Sequence, residues 1–72
     1  MKNLTTNEAA ELLISLRNRE IENAEYFRTQ ARFDDYVDSW MQNSEVEETP
    51  ETLAECAFSA VVYDGFAYLT EQ

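Results

Sequence analysis

The 72 residues carry fifteen carboxylates against five Lys and Arg and no histidine, a formal charge of −10. So short a chain accommodates one domain; its lone cysteine permits no internal disulfide, and without histidine or a second thiol a structural zinc has no ligand set. An apolar fraction of 44% is too high for a disordered acidic tail, so the composition describes a small folded domain, with self-association as the remaining route to extra stability.

Thr5-Thr6-Asn7-Glu8 reads as a capping box, in which a hydroxyl accepts a backbone N–H while Glu8 reaches back. Ala9, Leu13, Leu16, Ala24, Phe27 and Ala31 then recur at helical intervals, with Glu20 the single polar residue in that stripe. No Gly or Pro precedes Pro50. The pattern predicts a long first helix over 6–32, with a bend near Asn18 or Asn23. Leu12, Ile14 and Ile21 lie off the stripe and widen its apolar surface.

Phe33, Tyr36, Val37, Trp40 and Met41 form a second stripe, rotated by roughly half a turn from the first. One straight helix cannot aim both at one core, so a break is expected at Arg32–Asp35, followed by a second helix over 34–43. The polar stretch from Asn43 to Thr49 reads as a linker. Thr49-Pro50-Glu51 starts a third helix over 50–64, with Thr as cap, Pro in the first turn and an acid at the positive end of the dipole. Leu53, Ala57 and Ala60 follow at helical spacing, with Cys56 beside them. Ala60-Val61-Val62-Tyr63, Asp64-Gly65 and Phe66-Ala67-Tyr68-Leu69 also fit a hairpin over 60–69. The fold expected is all-α, a bundle of about three helices in one domain over 1–72; the alternative is α+β with that C-terminal hairpin.

Charge is segregated along these elements. Lys2, Arg17, Arg19, Arg28 and Arg32 are all the bases, and ten carboxylates lie beyond them. Residues 1–32 are formally neutral, so the net charge belongs to residues 33–72. Such a field repels nucleic acid and anionic membrane and attracts proteins that hold polyanions.

Catalytic equipment is sparse. Asp34-Asp35-Tyr36-Val37-Asp38 has the D-D-x-x-D spacing with which prenyl-diphosphate synthases hold magnesium and diphosphate, but no second acidic motif faces it. Its plainer reading is a solvated helix face opposite Phe33, Tyr36, Val37 and Trp40. Paired carboxylates for glycoside hydrolysis would need one acid in an apolar pocket, and fifteen acids pair by chance. Cys56 has no histidine partner and falls in an apolar helix, where a thiol is inert. There is no Gly-rich phosphate loop. No enzyme activity, cofactor or metal is expected.

Tyr36 and Trp40 are candidates for an interface anchor, with hydrophobic core as the competing role. Tyr63, Phe66 and Tyr68 suggest a self-association surface, and hence a homodimer. The remaining candidate contacts are the carboxylates Asp34, Asp35, Asp38, Glu45, Glu47, Glu48 and Glu51. They serve either solubility or the imitation of a polyanion. No charged-then-apolar leader opens the chain, no run approaches a membrane span, and a lone thiol suits a reducing cytoplasm.

In its shortness, strong acidity, lack of catalytic groups and compact helical pattern, the chain resembles the small acidic inhibitors of bacteriophages and mobile elements, the anti-CRISPR and antirestriction proteins of the DNA-mimic type. That resemblance implies a non-enzymatic inhibitor in a host bacterial cytoplasm. Its partner would be a basic nucleic-acid-binding host protein or complex, such as a CRISPR-Cas complex or a restriction or repair enzyme. Direct contact with nucleic acid or membrane is not expected. The competing function is a dimeric helical adaptor or regulator that binds a protein through apolar faces.

Overall fold

The computed structural model describes residues 4–22 and 26–63, which form three α-helices: α1 over Thr6–Arg17, α2 over Phe27–Ser44 and α3 over Pro50–Tyr63. The expected all-α bundle is present. α1 opens with the capping box: Glu8 N–H donates to Thr5 Oγ1 at 3.1 Å, and Thr5 N–H donates to Glu8 Oε1 at 3.2 Å. α3 opens with a threonine version of the same device. Thr52 N–H donates to Thr49 Oγ1 at 3.2 Å, and Thr49 N–H donates to Thr52 Oγ1 at 2.7 Å.

The first helix is not the long one. It stops at Arg17, and the break expected at 32–35 is absent: α2 begins at Phe27 rather than at 34 and runs unbroken to Ser44, so Phe27 and Ala31 of the first stripe stand on the same helix as the second stripe. Glu20 N–H bonds the Ser15 carbonyl at 2.9 Å and Arg19 N–H bonds the Leu16 carbonyl at 3.3 Å, the paired bonds of a Schellman ending. Arg19 takes the left-handed position, at φ 61°. α2 ends in the same way: Val46 N–H reaches the Met41 carbonyl and Glu45 N–H the Gln42 carbonyl, both at 3.2 Å, with Glu45 at φ 56°. Glycine is the usual residue at this position because it has no Cβ to clash. Here an arginine and a glutamate occupy it, so neither helix end carries its ordinary sequence mark.

The early break changes which residues are inside. Ala9, Leu13 and Leu16 of the first stripe are buried, but Phe27 is 70% exposed and Ala31 is exposed as well. Ala24 lies outside the described residues. α2 instead buries Thr29, Phe33, Val37 and Met41, four residues apart and on one face, with Tyr36 and Trp40 half-buried beside them. The Phe33 and Tyr36 rings stack at 6.3 Å between centroids.

α1 packs most extensively on α3. Ala9 and Ala10 of α1 and Ala57 and Ala60 of α3 are all buried, and their small side chains permit a close approach of the two helices. Leu53, Cys56 and Val61 complete the core from α3. Helix through Tyr63 rules out a first hairpin strand over 60–63; the remainder of that expected hairpin, and Phe66 and Tyr68, lie outside the described residues. Among the described residues no helix is long and apolar enough to cross a membrane.

Candidate acidic surface

The acids of α2 do not form one uniform solvated face. Gln30, Asp34 and Asp38 follow each other at four-residue spacing, and this row lies along the edge of the buried stripe rather than opposite it. It meets the C-terminal end of α1. Gln30 Nε2 donates to the Leu16 carbonyl at 2.8 Å. Arg17 Nη1 donates to Asp34 Oδ1 at 3.0 Å and Arg17 Nη2 to Asp38 Oδ1 at 3.2 Å. The same guanidinium grips Glu48 in the linker before α3, through Nη2 to Oε1 at 2.7 Å and Nε to Oε2 at 3.2 Å. One arginine therefore ties the end of α1 to the middle of α2 and to the α2–α3 linker. Its planar fork can serve several carboxylates at once, which an ammonium group cannot do with the same geometry.

Arg19 adds a second tie. Its left-handed backbone brings the side chain back over the helix end, where Nη1 donates to the Leu16 carbonyl at 3.1 Å and Nη2 to Asp34 Oδ2 at 2.9 Å. Both positive groups sit at the negative end of the α1 dipole, a favourable placement.

These contacts set the electrostatics. Arg17 and Asp34 keep only 21% and 22% of their side-chain surface. Hydrogen bonding to Glu48 raises the Arg17 pKa against the opposing effect of burial, with Asp34 helping. Burial pushes the Asp34 carboxyl up, but hydrogen bonds from Arg19 and Arg17 outweigh it and hold the group below its ordinary 3.8. The Arg17 hydrogen bond holds Glu48 below its ordinary 4.5. The three groups stay ionised at neutral pH.

The sequence-predicted contact residues thus divide. Asp34 and Glu48 are engaged within the fold. Asp38 shares Arg17 yet remains largely exposed. Asp35, Glu45, Glu47 and Glu51 are exposed, as is Glu55 on α3. Tyr36 and Trp40 are half-buried against the core. Of the eight carboxylates from Asp34 to Glu55, Arg17 and Arg19 engage three, Asp34, Asp38 and Glu48. Arg17 was missed as an organising residue because sequence spacing relates residues within an element, and its partners lie 17, 21 and 31 positions away.

Among the described residues no group of three or more acids or thiols is arranged to hold a metal ion. Cys56 is buried. A groove of about 640 Å³ lies beside Arg19, walled by Ile21, Phe27, Gln30, Ala31 and Asp34. No family model, curated protein or solved structure matches this chain.

Proposed function

We propose that this chain is a non-enzymatic inhibitor that binds the basic nucleic-acid channel of a host machine, such as a CRISPR-Cas complex or a restriction or repair enzyme. It excludes the substrate by occupying its place. The observation that carries this reading is the surplus of exposed carboxylates from Asp35 to Glu55, left after Arg17 and Arg19 have engaged their partners. A basic channel supplies the complementary field, which speeds encounter and selects orientation. The contact set is Asp35, Asp38, Glu45, Glu47 and Glu51, while Asp34 and Glu48 keep the helices in place beneath them.

The test is an affinity capture from bacterial lysate at low and high salt, followed by assay of each captured nucleic-acid enzyme against its DNA or RNA substrate. Inhibition is expected to be competitive with nucleic acid and to weaken steeply with salt. A triple variant, Asp35→Lys, Asp38→Lys and Glu47→Lys, is expected to abolish it. Undiminished inhibition by that variant overturns the proposed surface.

A further inference from the structure

α3 is apolar on two opposite faces. Its inner face carries the buried Leu53, Cys56, Ala57, Ala60 and Val61. On its outer face Glu51, Ala54, Glu55, Phe58 and Val62 are all exposed, and at 3.6 residues per turn they fall within about 100° of arc. Phe58 and Val62, one turn apart, keep 47% and 46% of their surface open. A helix in a small bundle ordinarily turns a polar face to water. This one offers two apolar side chains at its C-terminal half and two carboxylates at its N-terminal half.

We infer that the outer face of α3 is a docking site for an amphipathic basic helix of another protein. Charge complementarity selects that occupant. From residue 33 onward the chain has no base to neutralise Glu51 and Glu55. A second copy is a poor fit. In the register that overlaps the whole stripe, a two-fold antiparallel copy sets Glu55 against Phe58 and Glu51 against Val62, burying acids on apolar groups without a cation, and any register brings together chains of charge −10 each. An antiparallel helix of opposite design fits instead. It carries two apolar residues at i and i+4, facing Val62 and Phe58, then Lys or Arg at i+7 and i+11, facing Glu55 and Glu51. Antiparallel packing also opposes the two helix dipoles favourably. This site goes beyond the channel-binding surface: the two share Glu51, but Phe58 and Val62, which anchor the docking face, take no part in that surface.

The probe is a fluorescein-labelled Ala/Gln-rich helical peptide of about five turns, with Leu at i and i+4 and Lys at i+7 and i+11. Controls replace its Leu by Ser or its Lys by Glu. Binding to the full chain is read by fluorescence anisotropy. Phe58→Ala with Val62→Ala is expected to weaken binding at least roughly tenfold, as loss of apolar anchors does. Glu51→Gln with Glu55→Gln weakens it by roughly fivefold, and Asp35→Asn with Asp38→Asn changes it by less than about twofold. Circular dichroism checks that each variant keeps its helices. Equal binding by the Phe58/Val62 variant, or no binding of the Leu/Lys peptide by the intact chain, overturns the proposal. So does a dimer in sedimentation equilibrium that Phe58→Glu disperses, which gives the face to a second copy. NOEs between Phe58 and residues 64–72 would give it to the chain's own C-terminal segment and overturn it equally.

Discussion

Arg17→Ala removes the side chain that ties the end of α1 to α2 and to the α2–α3 linker, and its cost can be bounded from the geometry. Asp38 is 71% exposed, so its pairing contributes nothing measurable. Asp34 is sheltered and Glu48, though exposed, is doubly bonded, so each falls between the ~0.2–1 kcal/mol of open surface pairs and the ~1.5–3 kcal/mol of shielded charged hydrogen bonds. About 1 kcal/mol for each gives a loss of about 2 kcal/mol, a large share of the roughly 4–10 kcal/mol expected for a chain this short. With a urea slope of about 1 kcal/mol per molar, the midpoint followed by circular dichroism should fall by about 2 M. Arg17→Lys keeps the charge but not the fork and should lose about half as much. A loss below about 0.5 kcal/mol would show that the cluster is incidental to the packing of α1, α2 and α3.

Three further outcomes follow from the same geometry. Asp34 and Glu48 have pKa values below their ordinary 3.8 and 4.5. The native state therefore binds fewer protons than the unfolded chain, and the stabilisation they confer is complete above those ordinary values and lost as pH falls through the lower native ones. The stability gap between wild type and Arg17→Ala should hold steady from neutral pH to about pH 5 and close below about 4.5; a gap that widened in acid would refute the ion-pair account. Phe33→Ala empties a fully buried site and should cost about 3–5 kcal/mol, whereas Phe27→Ala should stay within about 0.5 kcal/mol; equal thermal shifts would contradict the early end of α1. Glu45→Gly relieves a left-handed residue at an exposed helix end and should raise stability by about 0.5–1 kcal/mol in urea titration, and a decrease would argue against the Schellman ending there.

Local chemistry made the helix starts legible. The Thr5–Glu8 box and the Thr49-Pro50 start depend on side chains that act within one turn, and both stand where the sequence places them. The second stripe was also legible, because Phe33, Val37 and Met41 mark one face of one helix whatever packs on it. The break expected between the stripes at Arg32–Asp35 is absent, because Phe27 and Ala31 stay exposed and α2 aims only its second stripe at the core. The bend expected near Asn18 is instead the full end of α1, because Arg19 closes the helix in a left-handed conformation that a sequence ordinarily marks with glycine. Glu20, the polar residue in an otherwise apolar stripe, was the available hint, and it falls just past the end of α1.

By itself the sequence determined that the chain is helical, acidic and charge-segregated, because propensity, capping and composition are properties of near neighbours. Only the tertiary structure decided which acids belong to the fold and which to the surface. Asp34, Asp35 and Asp38 are alike in sequence, yet Asp34 is held by two arginines, Asp38 shares one, and Asp35 faces water. That division follows from where the end of α1 meets α2 and the α2–α3 linker. A carboxylate's role is set by the charge brought beside it, and here that charge comes from residues distant in sequence.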